Sequence, residues 1–251
     1  MLFFNSKKPV LADLIPNNYV DIHSHLLPGI DDGAATINDT FKLITDLQKI
    51  GFSEFITTPH IMEMVWPNTE NNIEHLLNTT RNDIKNAGIT AQLAAAAEYM
   101  IDGNFVKQIN QKKLLTLKDN FVLVEMSYLN PPLNLYQVIF DLQLHGYQPV
   151  LAHPERYIFY RNNLSEFTKL KNAGCKFQMN LLSAVGYYGG AVSKIADYLL
   201  QNAMIDFVGS DVHHQKHVQS FYDRIILKNH DKLPQIINNN QFFSTNSTAT
   251  L

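Results

Sequence analysis

The stretch YVDIHSHLLPGIDDGA, Tyr19 to Ala34, carries the first clue to the fold. Tyr19–Ile22 is a short run, apolar apart from Asp21, and reads as a strand covered on both faces. His23 and His25 follow one residue apart, then a Pro-Gly turn and the pair Asp31-Asp32. Residues i and i+2 of a strand point to the same side, so two imidazoles at a strand end can face one ion together.

The same arrangement recurs along the chain. Short apolar runs predict strands at 19–22, 54–57, 92–97, 121–125, 149–152, 176–179 and 206–208, although the alanines of 92–97 favour helix. Amphipathic stretches lie between them. Phe41, Ile44 and Leu47 recur at helical spacing, Thr36–Asp39 resembles a capping box, and Gly88, Gly146 and Gly174 close helix ends. Alternating strands and helices predict a parallel α/β sheet with right-handed crossovers.

Whether the sheet is open or closed depends on its polar residues. After the successive strands come His23 and His25, then His60, Glu98, Glu125, His153, Asn180, and last Asp211 with His213. An open sheet would spread these ends along an edge. A barrel gathers them on one rim, where barrel enzymes keep their active sites. The expected fold is therefore a single-domain (β/α)7 barrel over residues 1–251.

Taken singly, a histidine is more often a surface or satisfied core residue than a ligand. His75, His145 and His230 fall in helical patterns and are read that way. The coincidence at strand end after strand end is what points to a catalytic metal site. Imidazole with carboxylate suits Zn, Mn or Fe, and Cys175 should lie at the opposite end of the barrel.

Bulk composition narrows the function classes. With 45% hydrophobic and 17% charged residues, 251 residues can bury a sizeable core. Net charge is −3, and the basic residues form no run longer than Lys7-Lys8 or Lys112-Lys113, which argues against broad nucleic-acid binding. The one cysteine rules out an intrachain disulfide and fits a reducing cytoplasm. The apolar patch at residues 2–4 is too short for a signal-peptide core, and no run approaches a membrane span. A cytoplasmic protein without membrane insertion is expected.

The motifs DIHSH, TTPH, AHPER and GSDVH, with Glu98 and Glu125, resemble those of the PHP (polymerase and histidinol phosphatase) superfamily. DIHSHLLPGIDDGA and LAHPERY are similar to its manganese-dependent protein-tyrosine phosphatases of bacterial capsule and exopolysaccharide loci. The resemblance covers residues 19–217. It implies a distorted barrel holding three divalent ions, Mn foremost, with Fe, Zn or Mg as alternatives. His23, His25, Glu98 and Asp211 would hold the first ion. Glu98, Glu125 and His153 would hold the second. Asp32, His60 and His213 would hold the third, with Asp32 preferred to Asp31 because it directly precedes the glycine.

Three such ions bring +6 against four carboxylates, leaving a site fit for a phosphate dianion. The implied chemistry is attack on phosphorus by metal-bridged hydroxide, with no cysteinyl intermediate and with Glu98 and His153 in the catalytic centre. Arg156 would fork phosphate oxygens. The implied substrate is a phosphotyrosine protein, such as a tyrosine kinase of polysaccharide assembly.

One departure stands out. The family often carries a second arginine after its last motif. Here SDVHHQKHVQSFYDR has none before Arg224, leaving His214, Lys216 or His217 as substitute cations. Two loops at the expected rim, residues 61–69 with Trp66 and residues 185–190 with Tyr187 and Tyr188, either stack on a phenyl phosphate or fold onto their own domain. The rival readings are a small-molecule phosphatase, such as one for histidinol phosphate, and a catalytically silent metal-binding scaffold.

Overall fold

The computed structural model describes residues 8–111 and 113–245. Residues 2–4, Lys7, Lys112 and the terminal residues from 246 onward lie outside that range.

The elements run β1 (Tyr19–Asp21), α1 (Ile37–Gln48), β2 (Phe52–Thr57), β3 (His60–Ile61), α2 (Glu70–Asn86), β4 (Gln92–Ala95), β5 (Glu98–Met100) and α3 (Gly103–Gln111). They continue with β6 (Phe121–Glu125), α4 (Leu135–Leu144), β7 (Gln148–Ala152), α5 (Ser165–Asn172), β8 (Lys176–Asn180), α6 (Gly190–Gln201), β9 (Phe207–Gly209), α7 (Gln215–Ser220) and α8 (Leu233–Asn239). The α/β alternation is as the sequence predicts. Thr36 and Asp39 form the capping box that starts α1, and Gly88, Gly146 and Gly174 take the positive φ that lets the chain leave its helices. Among the described residues no helix is long and apolar enough to cross a membrane.

The strands form two parallel sheets, ordered β1-β2-β4 and β3-β5-β6-β7-β8-β9. Two of the expected strands, 54–57 and 92–97, are followed by short strands that the sequence reading did not include, the latter strand itself ending at Ala95. The gap between β2 and β3 falls at Thr58-Pro59, where proline has no N–H to give a ladder. The gap between β4 and β5 falls at Ala96-Ala97. The two paths still track each other, because Ala96 N–H donates to Thr57 O (2.9 Å) and Glu98 N–H to Pro59 O (3.1 Å).

Beyond β1 and β9 the chain makes a parallel bridge between Ser24 and Val212. Asp211 N–H donates to His23 O (2.7 Å), and His25 N–H to Val212 O (3.0 Å). Below the bridge, Asn240 stitches the two strands, its Nδ2 donating to Val20 O (2.9 Å) and Val208 O (2.7 Å).

Apolar residues separate into two layers. A smaller cluster gathers Val20, Ile22, Ile56, Leu123, Val150 and Phe207 from both sheets, closed at one end by Phe121, Phe242 and Phe243. The alternate strand positions, such as Val122, Val124, Leu151, Phe177 and Met179, pack with the helices in the larger cluster. Period-2 alternation thus places one set of side chains inside the curved sheets and the other under the helices.

Candidate metal centre

Most of the candidate ligands named from the sequence lie at or just beyond the C-terminal end of a strand; His60 and Glu98 open the short strands β3 and β5, and Asp32 lies in the loop after β1. The strands bring them together. Glu98, at the start of β5, is fully buried in the middle. Its Oε2 lies 3.2 Å from His23 Nε2, 3.5 Å from His25 Nε2 and 3.2 Å from His60 Nδ1; its Oε1 lies 3.1 Å from His153 Nε2. Asp211 Oδ1 faces His23 Nε2 (3.3 Å) and His25 Nε2 (3.5 Å), and Glu125 Oε1 faces His60 Nδ1 (2.9 Å).

Asp32 stands at the mouth, its side chain 56% exposed, with Oδ1 3.5 Å from His60 Nε2 and 3.4 Å from His213 Nε2. Four groups have ligand atoms within 4.8 Å of one another: His25, Asp32, His60 and His213; His23, Glu98 and His153; His23, His25 and Asp211; His60, Glu98 and Glu125. These do not match the expected sets one for one. His60 presents one nitrogen to Glu98 and Glu125 and the other to Asp32.

Buried His23 Nε2, His25 Nε2, His60 Nδ1, Glu98 Oε2 and Glu125 Oε1 face one another at these distances, yet none has a hydrogen-bond partner among the described residues. Leaving so many buried polar atoms unpaired is costly, and divalent cations are what an imidazole and carboxylate set of this kind satisfies. The donor set fits such ions.

Residues behind the ligands aim them. Gln178 Oε1 accepts from His23 Nδ1 (2.6 Å), Asp31 Oδ2 from His25 Nδ1 (2.7 Å), and the Asp211 carbonyl from His213 Nδ1 (2.9 Å). Each back partner fixes a tautomer with a bare Nε2 turned inward. Asp31 also accepts from the backbone N–H of Gly33 (3.0 Å) and His60 (3.2 Å), so it supports ligands while Asp32 faces the cleft. Gln178 and Asp31 in these roles were not legible beforehand, though Gln178 stands two residues from Asn180 on β8, on the same face. Asn180 itself donates its Nδ2 to Asp211 Oδ2 (2.6 Å) instead of facing the ions.

Two ligand positions adopt left-handed backbone: His153 at φ 35° and Asp211 at φ 50°. Non-glycine residues adopt this conformation only under strong surrounding constraint, and it often marks functional sites. Gly33 is needed for close approach, since a Cβ there would meet His25 O at 2.2 Å.

Electrostatics follow from the packing. In the metal-free site burial lowers the His25 pKa, but the charge of Asp31, its hydrogen bond to Nδ1 and the Glu98 and Asp211 carboxylates facing Nε2 outweigh it and hold the value well above 6.5. Burial, with the Glu98 charge beside it, raises Glu125. His213 and His60 hold Asp32 far down. Burial pushes Glu155 up to about 7, and its Oε1 ties the turn after His153 to Asn180 N–H (2.8 Å) and Ser183 Oγ (2.7 Å).

The ligands open onto a cleft of about 1020 Å³. Arg156 lines it and donates to Asp211 Oδ2 at 2.8 Å. Met62, Met64 and Trp66 from one loop and Tyr187 and Tyr188 from the other also line it, with Tyr128 and Leu129. Lys216 is exposed and outside this lining. His217 lines the cleft, but its Nδ1 accepts from His213 N–H (3.1 Å), which a protonated ring cannot do. The expectation of His217 as a substitute cation is therefore corrected: the ring is neutral and braces the His213 loop. His75, His145 and His230 lie outside the cleft lining.

Parallel strands that deliver imidazole and carboxylate into one cleft define a metal-binding α/β protein. The chain belongs to the capsular polysaccharide synthesis family CpsB/CapC, whose model matches residues 19–236. It is 30% identical over 198 residues to the tyrosine-protein phosphatase YwqE of Bacillus subtilis, covering 78% of each chain. It is 26% identical over 219 residues to the tyrosine-protein phosphatase CpsB of Streptococcus pneumoniae, covering 83% of this chain and 90% of that one. A crystal structure from work on YwqE and CpsB as metal-dependent tyrosine phosphatases superposes with a TM-score of 0.80 at 28% identity, covering 92% of this chain and 96% of that one.

Proposed function

We propose that this chain is a metal-dependent tyrosine-protein phosphatase of capsular polysaccharide synthesis. Its substrate is a tyrosine-phosphorylated protein, a tyrosine kinase of polysaccharide assembly being the foremost candidate. The observation that carries the reading is the convergence of His23, His25, His60, Glu98, Glu125, His153 and Asp211 around unpaired buried ligand atoms. With Asp32 and His213 they would hold three divalent ions, Mn2+ foremost. Glu98, whose two oxygens face different histidines, is suited to bridging two of them.

Bound divalent ions supply a Lewis acid for the phosphoryl group and acidify an attacking water. The chain's own residues do the rest. Arg156, on the cleft wall, offers its remaining N–H donors to phosphate oxygens. The aromatic and methionine side chains of the mouth accept a phenyl ring and exclude water from it. Buried Cys175 lies before β8, at the strand end away from the cleft, and takes no part.

The same reading treats the two sheets as one distorted (β/α)7 barrel within a single domain over residues 1–251. The Ser24–Val212 bridge and the inner cluster drawn from both sheets support it. The lone cysteine fits a cytoplasmic setting.

Phosphatase assays with Mn2+, Fe2+, Zn2+ and Mg2+ on a phosphotyrosyl peptide and on histidinol phosphate, with elemental analysis, test the proposal. Preferential turnover of the peptide is expected, with near-complete loss in Glu98→Ala. Preference for histidinol phosphate would make the protein a small-molecule phosphatase. No turnover with any metal would leave a scaffold, and full activity in Glu98→Ala would sink the mechanism.

A further inference from the structure

Arg156 is held by more than its ion pair. Its guanidinium carbon lies 4.6 Å from the centroid of the Tyr128 ring and 4.5 Å from that of Tyr188. The one hydrogen bond of the guanidinium among the described residues runs from Nη1 to Asp211 Oδ2. The other donors of the guanidinium fork stay available at the cleft wall.

Each flanking tyrosine is anchored in turn. Tyr128 stacks on the His153 ring with centroids 5.6 Å apart, and its hydroxyl lies 3.3 Å from His153 Nε2. The Tyr188 hydroxyl accepts from Asn180 Nδ2 (3.4 Å), the same amide that donates to Asp211 Oδ2 (2.6 Å). The plane of Arg156 is thus referenced to the candidate metal centre through two independent tethers. An arginine free on its stem loses rotamer freedom when it binds an anion; one already fixed in place does not.

We propose that Tyr128 and Tyr188 are positioning residues, which flank the Arg156 guanidinium and preset the plane in which it receives the substrate phosphate. The proposal rests on the phosphatase reading above. A competing role, stacking on the substrate's own aromatic ring, makes a different prediction, because inorganic phosphate has no ring.

Binding of inorganic phosphate to the Mn2+-loaded full chain, measured by calorimetry, separates the two. Tyr128 is 43% exposed on the cleft wall, so its truncation leaves the core intact. Tyr128→Leu and Tyr188→Leu should each weaken phosphate binding about three- to tenfold, the scale of ordering one rotamer-rich side chain on binding. Tyr128→Phe, which keeps the ring and its stacking on His153, should stay close to the parent protein, whereas Tyr188→Phe, which keeps the ring but loses the Asn180 tether, should fall between the parent and Tyr188→Leu. In an Arg156→Ala background the leucine substitutions should have no further effect. Unchanged phosphate binding in the leucine variants would overturn the proposal, as would the same loss in the Arg156→Ala background or a fall in bound metal. A parent protein that binds phosphate with this pattern, yet hydrolyses no phosphotyrosyl peptide, would refute the phosphatase reading and leave the role of the rings standing.

Discussion

Asp31 and Asp32 are neighbours in the chain with opposite surroundings. The Asp31 side chain is fully buried against His25 Nδ1, while that of Asp32 is 56% exposed and faces His60 and His213. Asp31→Ala removes the group that orients His25, and metal affinity should fall about 10- to 100-fold, the usual cost of losing a partner behind a ligand. Equilibrium dialysis with elemental analysis checks this; unchanged affinity would count against it. Gly33→Ala should be as damaging although it removes no polar atom. The added Cβ would lie 2.2 Å from His25 O and 2.4 Å from His25 Cβ, so the ligand must move. Full metal occupancy in that variant would contradict the close approach.

At the level of elements, the site depends on how the first strand meets the last. Asp21 in β1 accepts from Ser210 N–H (2.9 Å) and Ser210 Oγ (2.6 Å) just beyond β9. His23 and Asp211 are the next candidate ligands along these two segments, so this contact sets their register. Asp21 is fully buried, and burial pushes its pKa up to about 6 against the pull of both hydrogen bonds. Ser210→Ala leaves Asp21 Oδ2 without that donor and should lower the unfolding free energy by about 1–3 kcal/mol, the penalty of a buried group left unsatisfied. Urea unfolding measures it, and an unchanged midpoint would mean that the seam is held elsewhere.

For the whole molecule, stability and metal loading are linked through pH. In the metal-free protein His25 and His60 are held well above 6.5: burial opposes this, and Asp31 and Glu98 respectively outweigh it. Rings that bind protons more tightly folded than unfolded stabilise the fold fully below 6.5. That contribution is lost as pH rises through the raised values. Chelated protein should therefore lose Tm as pH rises above 6.5, and Glu155, raised to about 7, adds to the loss up to about that pH. Metal binding needs neutral rings, so Mn2+ affinity should rise over the same window. Scanning calorimetry with and without chelator checks both, and a chelated Tm that climbs with pH would refute the assignment. By itself the sequence determined the α/β alternation, the helix ends and which strand ends carry the candidate ligands, because hydrophobic period, glycine and capping residues act locally. It could not determine the break at Ala96-Ala97, the support of the candidate ligands by Gln178 and Asp31, or the flanking of Arg156 by Tyr128 and Tyr188. Those belong to the tertiary structure alone, because each depends on which atoms distant parts of the chain bring within hydrogen-bond or van der Waals reach.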